Sequence, residues 1–231
     1  MGETDWTYLN DGLDIANVDR GVTAGLEPPP GGGDFVFAFN SLVAVTGSVG
    51  LFVNQVGFAP MAKGGSIRGC VQRGVSGGPT GFSPFLFLCC QGNSVNDSAY
   101  MLGLSDDDPH RIVLRKGSVA AGIPDSEGPG VLLASGESFS MGTWLHLRLD
   151  AIVNTNDDVV LRCFRNDLDT HPLIEPPTWE EIPGMAEFID DHLGINSGSQ
   201  PLTSGYGGFA TAVADVTRRA LFDHVEVWRQ T

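Results

Sequence analysis

The closing stretch "RRALFDHVEVW", residues 218–228, contains apolar residues that do not keep a single strand parity. Phe222 precedes Val225 by three residues, whereas Val225 and Val227 are two residues apart. Alternate residues of a β-strand face the same side, so these three side chains can share a core only if one extra residue lies between them. The stretch therefore predicts a final strand with a β-bulge at Asp223–His224, the polar pair turning outward.

The composition favours a single all-β domain. A chain of 231 residues fits one β-sandwich with insertions, and 42% apolar with 18% charged residues excludes the disordered class. Its 31 glycines and 14 prolines separate short apolar runs, which is typical of many strands joined by turns.

Two hairpins follow from the alternation of apolar and polar residues. The first spans residues 99–118 and turns at the polar residues 105–110, and the second spans residues 142–167 and turns at "NTNDD". In the second hairpin three leucines alternate with His146 and Arg148, so one face is predicted to be buried and the other exposed. The pattern as a whole predicts an antiparallel β-sandwich.

Residues 1–33 form a distinct leader that closes with "EPPPGGG" at residues 27–33. Three prolines followed by three glycines cannot lie inside a helix or a central strand, so this stretch is a linker or a long loop. Two alternatives remain for the leader: a first strand plus a loop, or an extended N-terminal arm that docks on a neighbouring subunit. The sequence thus predicts an arm and linker at residues 1–33 and a sandwich at residues 34–231.

A different kind of sequence interrupts the strands at residues 167–204. Thr178 stands three residues before Glu181, the capping-box pattern of a helix start, and Pro183 would end that helix. A second short helix is predicted at residues 184–193, with three apolar residues on one face. Long excursions in a compact domain are usually functional or form interfaces, so this partly helical insertion is a candidate contact region.

The net charge and the cysteines limit the kinds of partner and compartment that the sequence predicts. The formal net charge of −15 argues against binding to nucleic acid or to anionic lipid. The acidic N-terminus and the lack of a long apolar run predict a soluble protein made in a cytoplasm. The four cysteines lack metal-binding spacing, and buried free thiols are expected rather than a disulfide. These cysteines are Cys70, Cys89, Cys90 and Cys163.

The second half of the chain resembles the concanavalin A-like and laminin-G-like jelly-roll domains. The resemblance covers about ninety residues, from "GTWLHLRLDAIV" through "GYGGFATAV" to "RRALFDHVEVW". The matching positions are Trp144, His146, Leu147, Leu149, Val159, Leu161, Gly207, Gly208, Phe209, Phe222, Asp223, Val225 and Val227. The resemblance implies a jelly-roll sandwich, and within that family His146 is a common strand position without chemistry.

The chain also looks like small jelly-roll proteins of tailed bacteriophages, on "FNSL", "GGSIRGCVQRG", "YMLGLSD" and "RRALFDHVEVWRQ". This resemblance implies a non-enzymatic virion protein, made in the host cytoplasm, that decorates a capsid or belongs to a collar, tail or baseplate. Its partners would be other virion proteins or copies of itself in a homo-oligomer. The alternative is a lectin-like carbohydrate-binding module for host surface glycans, and a third interpretation is a polysaccharide hydrolase or lyase.

Catalytic and metal-binding patterns are missing from the sequence. Jelly-roll glycoside hydrolases carry Glu-x-Asp-x-x-Glu on one strand, whereas the carboxylate pairs here are consecutive, at 180–181 and 190–191. The five histidines lack the spacing of a zinc site. We therefore expect no enzymatic activity, no cofactor and no metal.

Exposed aromatic residues are the candidates for contact with a glycan or with a protein partner, because Trp and Tyr are enriched at interfaces. The candidates are Trp6, Tyr8, Trp179, Phe188 and Tyr206.

Overall fold

The computed structural model describes residues 7–10, 18–24, 27–33, 35–41, 48–53, 63–73, 83–91, 97–105, 109–118, 131–191, 199–213 and 219–229. Over these residues the chain forms two antiparallel sheets. Sheet A contains β1 (Thr7–Asn10), β4 (Ser48–Val53), β6 (Ser83–Cys90), β7 (Ser98–Leu104), β8 (Arg111–Ser118), β9 (Val131–Ser138) and β14 (Tyr206–Val213). Sheet B contains β2 (Val18–Ala24), β3 (Phe35–Ser41), β5 (Gly65–Arg73), β10 (Trp144–Val153), β11 (Val159–Asn166), β12 (Glu180–Glu181), β13 (Phe188–Asp190) and β15 (Arg219–Arg229).

The strand order is β1-β4-β14-β6-β7-β8-β9 in sheet A and β12-β11-β10-β5-β15-β3-β2 in sheet B, with β13 also pairing with β11. Successive strands often change sheet, as from β5 to β6 and from β14 to β15. Both predicted hairpins are present, as β7 with β8 and β10 with β11. The prediction of an antiparallel β-sandwich is therefore confirmed.

The core lies between the two sheets and follows the alternation of the strands. In β10, Leu147, Leu149 and Ala151 are fully buried and pack against the inner face of sheet A. The intervening residues, among them His146 and Arg148, project from the other side of sheet B. All four cysteines are buried free thiols.

The β-bulge predicted in the last strand is confirmed. Residues 223–226 of β15 lie opposite residues 68–70 of β5, so β15 carries one extra residue at this point. His224 takes up the extra length with a φ of +47°, in the left-handed region. Phe222 and Val225 are consequently both buried in the core.

The helices predicted in the insertion are wrong for its described residues, 167–191 and 199–204, which contain no helix. Residues 180–190 instead extend along the edge of sheet B as β12 and β13. Ile182 N donates to Cys163 O at 3.0 Å and Cys163 N donates to Met185 O at 3.3 Å, on either side of a Pro183–Gly184 turn. The edge of β11 that faces away from β10 provides residues 180–190 with backbone hydrogen bonds. An isolated helical turn would be less stable, because its few hydrogen bonds do not offset the cost of helix nucleation.

The side chains of β13 also differ from the helix prediction. Phe188 and Ile189 were expected on one helix face, but consecutive strand residues point to opposite sides. Phe188 packs against the core, whereas Ile189 is 49% exposed.

The leader contributes to both sheets. β1 pairs with β4 in sheet A, and β2 pairs with β3 in sheet B. Whether other parts of residues 1–33 reach a second subunit stays a prediction. No helix among the described residues is long and apolar enough to cross a membrane.

Candidate functional site

The outer face of sheet B carries rows of polar and aromatic side chains that come from four strands. Directly paired residues of neighbouring strands project from the same face, so the register defines each row. The rows, from β11 through β10 and β5 to β15, are Asn166–His146–Cys70–Asp223, then Phe164–Arg148–Arg68–Glu226, then Arg162–Asp150–Ser66–Trp228. These rows bring amide, basic, acidic and aromatic side chains together on one face of the sheet.

His146 is held at the centre of the first row. It is 3% exposed, and its ring centroid lies 4.6 Å from that of Trp179. Asn166 Nδ2 donates to His146 Nδ1 at 3.3 Å, which places the ring proton on Nε2. Burial, with smaller contributions from Arg68 and His224, lowers the pKa of His146 to about 4. The imidazole is therefore neutral at physiological pH.

Asn166 anchors the segment that carries Trp179. Its Nδ2 also donates to His171 O at 2.9 Å, and its Oδ1 accepts from Thr178 N at 2.9 Å. One buried amide thus fixes both ends of residues 171–178 to the sheet. Trp179 is positioned by this anchoring and not by a helix.

Two arginines occupy the middle of the face, and each is paired with a carboxylate. Arg148 Nε and Nη2 donate to the two oxygens of Asp150 at 2.8 and 2.7 Å. Arg68 Nη2 donates to Glu226 Oε2 at 2.8 Å. Arg148 and Arg68 are direct cross-strand neighbours, and the pairing relieves the repulsion that two like charges would otherwise have.

Aromatic rings stand at both ends of these arginines. The Arg148 guanidinium lies 5.3 Å from the Phe164 ring centroid and 5.9 Å from that of Trp179. The Arg68 guanidinium lies 4.7 Å from the ring of Trp228, which is 40% exposed. We name these five residues the aromatic–arginine stripe.

Two segments, the proline–glycine linker and the segment after β11, border one side of the stripe, and we call them the wall. Trp144 Nε1 donates to Glu27 O at 3.1 Å, which ties the proline–glycine linker to the outer face. Leu173 N donates to Pro30 O at 2.9 Å, so the linker also joins the segment after β11. Gly31 is required there, because its φ is +78° and a Cβ would lie 2.7 Å from Leu173 N.

The linker also covers the start of the bulge. Asp223 Oδ1 accepts from the backbone N of His224 at 2.8 Å and lies 3.0 Å from its Nδ1. Asp223 Oδ2 is buried and has no hydrogen-bond partner, and a Cβ on Gly32 would lie 3.0 Å from it. The bond to Asp223 is the main cause that raises the pKa of His224. The Asp223–His224 pair is thus a feature of the bulge.

The five aromatic candidates do not form one site. Trp179 lies in the stripe, whereas Phe188 packs against the core and Tyr206 starts β14 in sheet A, opposite Cys90. Tyr8 lies in β1, and its side chain is outside the described residues, as is the whole of Trp6. Their predicted role as contact residues stays a prediction.

Sequence reasoning missed most of the face. Arg68, Glu226, Asn166 and Trp228 each occupy an outward strand position, which is the one signal that the sequence carries. Their grouping depends on the register of four strands and on the bulge in β15.

Cys70 lies opposite His146 but does not form an activated nucleophile with it. The thiol is fully buried, and burial followed by the charge of Asp223 raises its pKa well above the usual value. No group of three or more metal-ligating side chains in the described residues could hold a metal ion. Absence of enzymatic activity and of a cofactor stays a prediction.

Asp190 lies elsewhere and has a structural environment. Its Oδ2 lies 2.6 Å from Lys116 Nζ and accepts from Tyr100 OH at 2.5 Å, inside the sandwich. Lys116 Nζ also donates to the carbonyls of Ser199 and Gln200, each at 2.8 Å. The cluster ties the returning chain to sheet A.

No protein-family model matches the sequence, and no curated protein matches it significantly. Solved structures do match. The carbohydrate-binding module CBM66 from Bacillus subtilis is 9% identical with a TM-score of 0.54, over 97% of this chain and 95% of that one. The Emp46p carbohydrate recognition domain in its potassium-bound form is 14% identical with a TM-score of 0.50, over 99% and 90%.

A third match is the marine PL-14 alginate lyase from Aplysia kurodai, 12% identical with a TM-score of 0.52, over 91% of this chain and 87% of that one. At such identities the likeness concerns the fold alone. These comparisons give no support to the predicted resemblance to phage virion proteins. The fold is the jelly-roll sandwich found in lectin-like carbohydrate-binding domains.

Proposed function

We propose that the protein binds carbohydrate through the aromatic–arginine stripe on the outer face of sheet B. A sugar ring presents an apolar C–H face and a rim of hydroxyl groups. Exposed aromatic rings suit the apolar face, and guanidinium and carboxylate groups suit the hydroxyls as donors and acceptors. The observation that carries the proposal is that both kinds of group lie on one face, with aromatic rings at the two ends of a neighbouring pair of arginines and their carboxylates.

The ion pairs prepare the stripe for binding. Arg148 is held by both oxygens of Asp150, and Arg68 is held between Glu226 and Trp228. Side chains that are already ordered lose less conformational entropy when a ligand binds. The remaining N–H groups and carboxylate lone pairs can then meet hydroxyls at set positions.

The wall beside the stripe supports a directional site. The linker and the segment after β11 are bonded to each other and, through Trp144 and Asn166, to the sheet. A ligand on the stripe would contact this wall at Trp179. The matched solved structures include two carbohydrate-binding domains, which agrees with the proposal without testing it.

A glycan array probed with the isolated protein tests the proposal, followed by calorimetry with the strongest ligand. We expect Trp228→Ala and Arg148→Ala each to weaken binding about tenfold or more, the loss of one hot-spot contact. Leu132→Ala is the control, because Leu132 is similarly exposed, at 43%, on β9 of sheet A. Lack of binding to any glycan, or binding that neither stripe variant weakens, would refute the proposal.

Assembly on a phage particle has no supporting observation among the described residues and stays a prediction. Co-sedimentation of the protein with particles would test it directly.

A further inference from the structure

The span of the stripe sets the length of ligand that it can hold. Trp179 lies over β10, where it contacts His146 and Arg148. Trp228 lies on β15, two strands away, and the register of β5 places it level with Asp150 of β10. With about 4.8 Å between strands and about 3.3 Å per residue along them, the backbone position of Trp228 lies about 12–16 Å from the part of β10 that Trp179 contacts.

This distance corresponds to a short oligosaccharide. A pyranose unit in an extended chain advances by about the spacing of two neighbouring strands, so about three units cover the span. A single sugar ring would reach one indole and one arginine only. The two arginines lie between the indoles and would contact the middle unit.

The charges of the face select against an acidic glycan. The charged groups that project outward from β5, β10, β11, β12 and β15 and whose side chains the structure describes, together with Glu187, are three arginines and five carboxylates. They are Arg68, Arg148, Arg162, Asp150, Glu181, Glu187, Asp223 and Glu226. These eight groups sum to −2, from +3 and −5.

The arginines are also committed to partners within the protein. Arg148 bonds Asp150, Arg68 bonds Glu226, and Arg162 Nη2 lies 2.9 Å from Glu187 Oε2. A uronate or sialate would have to displace a carboxylate that is already in place, in a protein of net charge −15. Neutral hydroxyls can instead bond to both members of each ion pair.

We infer, on the basis of the proposed function, that the ligand is a neutral glycan segment of about three sugar units. It lies obliquely across β10, β5 and β15, with Trp179 under one end and Trp228 under the other. Arg148 and Arg68, with their carboxylates, bond the hydroxyls between the two ends.

The test uses calorimetry, in which oligosaccharides of one to six units are titrated into the intact protein; each series of lengths is called a ladder. The neutral ladders come from β-1,4-glucan, β-1,4-mannan, β-1,4-xylan and β-2,6-fructan, and the acidic ladders come from polygalacturonate and alginate. We expect a neutral ladder to bind best, with affinity rising by tenfold or more from one unit to three and then levelling. Trp228→Ala and Trp179→Ala should each abolish the gain in affinity from one unit to three. Leu132→Ala should leave this gain unchanged.

The outcomes separate the two proposals. Strongest binding to an acidic ladder would overturn the inference about charge while carbohydrate binding stands. Affinity that is equal for one and six units, or that keeps rising through six, would overturn the inferred length. If no ladder and no glycan on the array binds, the proposed function itself fails.

Discussion

Acidification should destabilise this protein through His146. The ring is buried beneath Trp179 and keeps a pKa of about 4, because burial, Arg68 and His224 all disfavour its protonated form. In the unfolded chain the histidine titrates near 6.5. Between these values the unfolded chain binds a proton that the folded protein does not, so stability falls as the pH decreases from 6.5 towards 4.

The magnitude follows from the size of the shift. A difference of about 2.5 pKa units is worth about 3 kcal/mol in total, at 1.36 kcal/mol per unit. At pH 5 most of the unfolded chain is protonated at this position and little of the folded protein is, so the expected loss is about 2 kcal/mol. For a chain of this size such a loss lowers Tm by about 4–8 °C.

Urea unfolding followed by tryptophan fluorescence at pH 7 and pH 5 measures this loss, with His146→Gln as the comparison. Glutamine does not titrate, so the variant lacks the proton linkage of position 146. Loss of the ring contact with Trp179 lowers the stability of the variant at both pH values and does not enter the difference between them. The native protein should lose about 2 kcal/mol more than the variant between the two pH values. His224 acts in the opposite sense, because its raised pKa stabilises the fold at low pH and that contribution is lost as the pH rises, but it is common to both proteins. Equal pH dependence in the two proteins would refute the reasoning.

Three further predictions concern the framework of the site. Gly69→Ala should lower the free energy of unfolding in urea by about 1–3 kcal/mol, because the added Cβ would lie 2.9 Å from Val225 Cγ2. The loss should be smaller in a Val225→Ala background, and an equal loss in both backgrounds would contradict the packing at the bulge. His224→Val should lower thermal stability by about 1–2 kcal/mol more than His224→Asn, since asparagine tolerates the left-handed φ of +47°; equal melting temperatures would argue against this backbone. Asp190→Asn should cost about 3 kcal/mol or more in urea unfolding by leaving the Lys116 charge without its buried partner, and a loss below about 1 kcal/mol would show that the pair contributes little.

The sandwich and its last strand could be read from the sequence because their signals are local. The spacing of Phe222, Val225 and Val227 is explicable only by an extra residue, and the structure places that residue at His224. The hairpins predicted at residues 99–118 and 142–167 follow from alternation and turn residues within a few positions of each other.

The helices predicted in the insertion show where local signals fail. Thr178 and Glu181 form a valid capping pattern, but one or two helical turns have little intrinsic stability in water. The free edge of β11 offered backbone hydrogen bonds through Cys163 and a place in the core for Phe188. Because that edge is built by residues elsewhere in the chain, the pattern at 178–181 carried no information about it.

The candidate site depends on tertiary structure to a still greater degree. The sequence determined that residues such as His146, Arg148 and Arg68 would project outward from their strands, since alternation has a period of two. Only the register decided that Arg148 lies beside Arg68, and that Trp228, 80 residues from Arg148 along the chain, stands at the far end of the same stripe. The physical reason is that backbone hydrogen bonding and core packing set the register over the whole sheet, whereas a row of side chains on its outer face has no signature in any single segment.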